Sequence, residues 1–224
     1  VHWYRANSRD IIYVRKSVAC FVIRNGTEIR FKSFAGADHQ ELVRILLGIP
    51  MGFLLQQRGL HTLHASVVRI GDHSAAFLGI SGSGKSTIAA SFLNHNHMLL
   101  TEDVAVVNLF DMMVSPAFPW LNIGQDSLNE MALSERPLVN LIADSRERLG
   151  YQLDESQFCG QPTKLKNCYL LEWGDQLNIE PVEAKQAFFD LFPHTFRPIT
   201  DTGSEELDAE SFKKMTNFAN QVSV

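Results

Sequence analysis

Cysteine is scarce in this chain: Cys20, Cys159 and Cys168 are all there are in 224 residues. The number is odd and no two stand at C-x-x-C spacing, which argues against a disulfide framework or a thiolate zinc site and gives the expectation of a reducing, cytoplasmic setting. Long apolar runs are lacking too. The richest stretch, "ELVRILLGIPMGFLL" (41–55), is broken by charge, glycine and proline and is too short to span a bilayer, so no membrane partner is expected. No secretory signal pattern is read at the N-terminus. Positive charge is not in excess: 20 Lys and Arg stand against 25 Asp and Glu, for a net charge of −5. Without a basic run, a nucleic-acid partner is not expected either. Repeats and low-complexity segments are missing. What is present, 45% hydrophobic and 20% charged residues, is ordinary for a globular protein long enough to bury one core.

Patterning along the chain mixes strands and helices. "IIYVRKSVACFVIRNGTEIRFKSF" (11–34) alternates around Asn25-Gly26 and predicts strands joined by a hairpin. The stretch 37–59 predicts a helix capped by Asp38 and broken or kinked at Pro50. Strands are predicted in "LHTLHASVVRI" (60–70), in Ser74 to Gly79, and in "HMLLTEDVAVVNLF" (97–110), the last passing through an acidic pair. "SPAFPWLNIG" (115–124) reads as loop, with a helix around Asp126 to Ala143. A strand at 165–174 and helices at 180–194 and 204–222 complete an α/β protein. Residues 1–60 are expected to pack as a hairpin and helix on a core formed by 61–224, within one domain.

The most specific motif is "GISGSGKST", Gly79 to Thr87, which fits G-x-x-x-x-G-K-[ST]. Glycines at Gly79, Gly82 and Gly84 permit dihedrals and close approaches that larger residues resist. With Ser81, Ser83 and Thr87 they would present successive backbone N–H groups to a nucleotide's phosphates. Lys85 would reach the outer phosphates, and the Ser86 hydroxyl would help hold Mg2+. A strand before the motif and a helix after it ("KSTIAASFLNH") would aim a helix N-terminus at the anion. The alternative is a plain glycine-serine turn, which the flanking elements disfavour.

Phosphate transfer needs more than a cradle. Glu102 and Asp103 follow the strand after the loop's helix, and a parallel neighbouring strand would return them to the phosphate edge. One acid would hold the metal while the other takes the acceptor's proton; a solvated acidic turn is the alternative. His64 lies on the strand ahead of the loop's strand. An imidazole beside Asp103 would tune how readily that carboxylate accepts a proton, although a lone His on an apolar strand is more often a core residue. His61, three residues away, reads as structural. His73, His95 and His97 read as surface residues, not metal ligands.

"LHASVV…GISGSGKST…LLTEDVAVV" resembles the catalytic domain of the HPr kinase/phosphorylase family, bacterial enzymes that phosphorylate a serine of the carrier protein HPr. The resemblance implies a PEP-carboxykinase-like fold, the HPr kinase C-terminal-domain type, with a mixed sheet and an embedded phosphate loop. His64, Lys85 and Ser86 fall on that family's His, loop Lys and metal-binding Ser. Asp103 falls on the acid that accepts the serine's proton, which implies Asp103 as general base and leaves Glu102, where the family has Asp, to the metal. The family's downstream metal-binding signature is absent, with "FPWLNIGQDSLNE" in its place; Asp126 or Glu130 are the substitutes at hand. Its late arginine has no counterpart. "LLQQRGLHTLHASVV", "PAFPWLNI", "TKLKNCYLLEWGD" and "IEPVEAKQAFFDLF" are similar to a compact HPr-kinase-like group that includes lasso-peptide precursor kinases.

These observations together give the expectation of an ATP- and Mg2+-dependent kinase acting on a serine-type hydroxyl of a peptide or small protein, in the manner of ribosomal peptide biosynthesis. Oligomers occur among the related enzymes, so a homo-oligomer is expected. A nucleotide-binding accessory module with a vestigial site, and a kinase of free serine or another small hydroxyl metabolite, are the alternatives. Phosphorolysis, the reverse activity of the HPr enzymes, is a further one.

Overall fold

The computed structural model describes residues 2–6, 10–124, 138–139, 148–196 and 209–224. Asp126 and Glu130 lie outside the described residues, as does most of the helix expected over 126–143. Leu138 and Val139, within that expected helix, are strand.

Strands β1 (His2–Ala6), β2 (Asp10–Arg15), β3 (Ala19–Arg24) and β4 (Glu28–Ser33) form an antiparallel sheet in chain order. The hairpin expected at Asn25-Gly26 is present. Both residues take positive φ, 51° and 64°, the turn geometry whose twist matches that of the flanking strands. Helix α1 (His39–Leu47) starts at Asp38, whose carboxylate accepts from the N–H groups of Gln40 at 2.7 Å and Glu41 at 3.2 Å. The break falls at Gly48, not at Pro50. Pro50 sits in the first turn of α2 (Ile49–Gln57), where a missing N–H costs nothing. Leu42, Ile45, Phe53 and Leu54 close over Ile11, Tyr13, Phe21 and Ile23 as one apolar cluster.

The main sheet begins at β5 (His61–Leu63), β6 (Ala65–Ile70) and β7 (His73–Leu78). Helix α3 (Lys85–Asn94) then leads to β8 (Met98–Thr101), β9 (Ala105–Asn108) and β10 (Met113–Ser115). The single strand expected over 97–110 is therefore two, cut at the acidic pair. A small antiparallel sheet follows from β11 (Trp120–Gly124), β12 (Leu138–Val139) and β13 (Arg148–Gln152), so the expected loop at 115–124 ends in a strand. Strand β14 (Thr163–Leu170) returns to the main sheet, and α4 (Ala184–Leu191), a 3₁₀ turn (Phe192–His194) and α5 (Ala209–Ala219) end the described chain.

The main sheet has seven strands in the order β5-β9-β10-β14-β7-β6-β8, and β14 pairs parallel to β7 while the other pairs are antiparallel. The protein is thus α/β with a mixed sheet. Alternation decides which face each residue serves. Val68, Ala75, Phe77 and Leu99 pack under α3 and the small sheet. Their neighbours Val67, Ala76, Leu78 and Leu100 pack under α4 and α5. Among the described residues no helix is long and apolar enough to cross a membrane.

His61 belongs to this second core, as expected of a structural residue. It is buried, with its ring 4.8 Å from that of Phe218. Burial, aided by the charge of Lys214, lowers its pKa to about 4. An unfolded chain protonates this imidazole near pH 6.5, so the unfolded state binds more protons between the two values. The stabilisation is full above pH 6.5 and is lost as pH falls towards 4, by up to about 3 kcal/mol. Urea unfolding at pH 7 and pH 5 should show part of this loss, and His61→Phe should reduce the difference. An unchanged slope in that variant would contradict it.

Candidate functional site

Direction along the sheet brings the candidate residues together. β6 runs antiparallel to both β7 and β8, so β7 and β8 run the same way; Ala65 lies opposite Leu78, and Val67 opposite Thr101. The residue before β6 (His64), the loop after β7 (Gly79–Gly84) and the pair after β8 (Glu102, Asp103) therefore meet at one edge. β8 was expected beside β7. It is instead one strand further out, because two antiparallel steps restore the direction that one parallel step would have kept. His64 itself lies between β5 and β6 and not within a strand.

The loop's glycines are where the backbone requires them. Gly79 has φ +152°, and a Cβ there would run into Ser83 Oγ and stand 3.0 Å from the carbonyl of Leu171. Gly82 and Gly84 take φ +90° and +96°, and Gly84 caps α3 with no side-chain hydrogen bond. Ser81 and Gly82 are exposed at the loop's crest, and Thr87 is half-buried in the first helical turn. The Ser83 hydroxyl is buried with no partner among the described residues. Lys85 is only 8% exposed, and its ammonium donates to the carbonyls of Gly79 at 2.7 Å and Ile80 at 3.1 Å. A cation folded back into the loop's mouth is placed to meet phosphate oxygens.

Glu102 faces that helix. Ser86 Oγ donates to Glu102 Oε1 at 2.5 Å, and Glu102 Oε2 accepts from the backbone N–H of Asn122 at 2.5 Å and from its amide at 3.3 Å. Asn122 is fixed in turn by the indole N–H of Trp120, 3.2 Å away. The chain Trp120–Asn122–Glu102–Ser86 thus orients the carboxylate towards the loop. Its two oxygens and the Ser86 hydroxyl are hard donors of the kind Mg2+ takes.

Asp103 sits at the centre of a strained turn. Its φ is +65°, and the N–H of Val104 closes a three-residue ring onto the carbonyl of Glu102 at 2.8 Å. Such γ-turns with a positive central φ are rare and disfavoured, and surrounding contacts must hold them. Two do: Thr101 Oγ1 donates to the carbonyl of Val104 at 2.7 Å, and His64 Nδ1 donates to the carbonyl of Asp103 at 2.9 Å. His64 therefore reaches Asp103 through its backbone and not, as expected, through its carboxylate. The hydrogen bond also fixes the proton on Nδ1 in neutral His64 and leaves Nε2 for other partners. Among the described residues nothing hydrogen-bonds or ion-pairs the Asp103 carboxylate. It borders a small open cleft whose other walls include Arg44 and Leu47 of α1, Phe118 and Trp120.

Two residues of this edge escaped the sequence. Asn122 lies in a stretch taken for loop. His194 lies in "LFPHTF", at the far end of the chain. Its carbonyl accepts from the backbone N–H of His64 at 2.7 Å, the N–H of Phe196 donates to the carbonyl of Thr62 at 3.1 Å, and Leu63 lies opposite Thr195 in an antiparallel bridge. Burial, then the nearby charges of His64 and Lys85, lower the pKa of His194 to about 4 against the opposing effect of Asp190. Neither residue belongs to a motif with fixed spacing, and only the tertiary pairing reveals them. Among the other histidines, His73 Nδ1 lies 2.9 Å from the carboxylate of its neighbour Asp72. His95 Nδ1 lies 2.8 Å from the carbonyl of Ser91, and the His97 ring packs on Phe92.

No family model matches this chain, and no curated protein matches it.

Proposed function

We propose that this chain is a phosphotransferase that uses a magnesium-bound nucleoside triphosphate. More particularly, we read it as an ATP-dependent kinase of the HPr-kinase-like, PEP-carboxykinase-like type, acting on a serine-type hydroxyl of a peptide or small protein. The observation that carries this is the 2.5 Å contact between Ser86 of the glycine-rich loop and Glu102, with Asp103 next in a turn pinned by His64. A loop that only held phosphates would need no such acids at its mouth.

Ser86 and Glu102 would hold Mg2+, which when bound offsets charge on the phosphate oxygens. The loop N–H groups and the ammonium of Lys85 bind and orient the triphosphate. The acceptor hydroxyl enters from the cleft beside Asp103, whose carboxylate takes its proton as the hydroxyl oxygen bonds to the γ-phosphorus. The bond between that phosphorus and the β–γ bridging oxygen breaks, and ADP departs with the electron pair. His64 keeps Asp103 in its strained turn, aimed at the acceptor.

Incubation with Mg2+ and γ-labelled ATP, with serine-containing peptides, with free serine or with neither, tests this. Label on peptide serine is the expected result. Label on free serine alone would make it a metabolite kinase, and nucleotide binding without label on any hydroxyl would overturn transfer altogether.

A further inference from the structure

We propose that Trp173 is the platform on which the donor's nucleobase stacks, at the flank of the glycine-rich loop that lies away from the acidic pair. This rests on the nucleotide-binding part of the function proposed above and adds a site for the base to it.

Strand order gives the loop two flanks. Where β7 opens into the loop, β6 and then β8 lie on one side and β14 lies on the other. Because β14 runs parallel to β7, with Leu170 opposite Leu78, the chain leaves β14 at the phosphate edge. The N–H of Leu171 donates to the carbonyl of Leu78 at 2.8 Å, and the Leu171 carbonyl stands 3.0 Å from the point that a Cβ on Gly79 would occupy. The exit from β14 therefore packs against the first glycine of the loop. Trp173 follows two residues later, with its Cα no more than about 7 Å from that of Leu171.

Direction along the triphosphate assigns this flank to the nucleoside. Ser86 and Glu102, with Asp103 beyond them, place the outer phosphates and the acceptor towards β8. A triphosphate is a chain with the nucleoside at its other end, so the base leaves the loop on the β14 side. There Trp173 is 80% exposed, and among the described residues no hydrogen bond or ring contact engages its indole. Glu172 and Asp175 beside it are exposed as well, and their like charge disfavours a phosphate at the ring. An uncharged planar group suits the position. A base lying on an indole face is such a contact, and stacking of this kind is strong enough to register in affinity.

Calorimetry on the whole chain tests this with two probes: Mg·ADP, which carries a base, and Mg·tripolyphosphate, which carries none. Trp173→Ala should weaken Mg·ADP about tenfold, the scale of one lost stacking contact, and leave Mg·tripolyphosphate within about twofold. Trp173→Phe, which keeps a ring face, should recover most of the loss. Both variants change an exposed side chain and are expected to fold, which circular dichroism checks. Mg·ADP affinity unchanged in the alanine variant overturns the platform while nucleotide binding stands. Equal weakening of both probes also overturns it, since Trp173 would then support the loop and not the base. A wild-type chain that binds neither probe removes nucleotide binding itself, and this inference with it.

Discussion

Lys85→Ala is expected to lower phosphoryl transfer by about 10²–10³-fold, the usual cost of deleting one preorganised electrostatic stabiliser in a water-poor site. The ammonium is nearly enclosed, and it donates to carbonyls of the loop it serves, Gly79 and Ile80. Those carbonyls help to hold it in the mouth of the loop, where its charge would meet a phosphate. Removing it should weaken Mg·ATP binding as well as turnover, because the same charge meets the nucleotide in the ground state. Lys85→Arg should not restore activity, since a planar guanidinium does not fit a pocket closed by two carbonyls at hydrogen-bond distance from a single nitrogen. Calorimetry with Mg·ATP and a labelled-phosphate assay, both on variants shown to be folded by circular dichroism, measure the two effects. Full activity in the alanine variant would mean that the loop does not hold the transferred phosphate.

Asp103→Asn separates chemistry from binding. Asparagine tolerates positive φ about as well as aspartate. The three hydrogen bonds that hold the turn use the backbone or the side chains of Thr101 and His64, so the substitution leaves the fold of the turn alone. What it removes is the base. The catalytic rate should fall by about 10²–10⁴-fold, the range of a positioned proton acceptor, with Mg·ADP affinity nearly unchanged. Asp103→Ala adds the cost of forcing alanine into the left-handed region, about 1–2 kcal/mol, and should lower stability as well as rate. Steady-state kinetics beside Mg·ADP calorimetry distinguish the variants. An asparagine variant that turns over at the wild-type rate would move the base elsewhere.

Much of this was legible in residue order, and what was not has identifiable causes. The glycine-rich loop, the Asp38 cap and the Asn25-Gly26 hairpin depend on backbone chemistry within a few residues, and such signals survive in sequence. The insertion of β6 between β7 and β8 is a choice among sheet orders that satisfy the same alternation, so spacing alone did not reveal it. Proline drew the helix break towards Pro50, although the first turn of a helix accommodates it; Gly48, with no side chain, was the residue that changed the chain's direction. His64 was expected at the carboxylate of Asp103 and meets its carbonyl instead. That followed from treating 97–110 as one extended strand, when the acidic pair turns through positive φ and offers a carbonyl instead of a carboxylate. His194 and Asn122 carry no local signature at all. His194 meets the backbone of His64, 130 positions away, by a cross-chain pairing, and Asn122 meets the Glu102 carboxylate, 20 positions away, through its backbone N–H and amide.

Convergence of His64, the glycine-rich loop and the acidic pair on one phosphate site is tested most directly by Mn2+ in place of Mg2+. Bound with ADP, paramagnetic Mn2+ broadens only the NMR signals of groups close to it. The amides of Ser86 and Asp103 and the ring of His64 should broaden together, while the ring of His61, buried against Phe218 in the core under α5, stays sharp. Broadening confined to the loop, with Asp103 and His64 unaffected, would contradict a shared site and leave a nucleotide holder with no machinery for transfer.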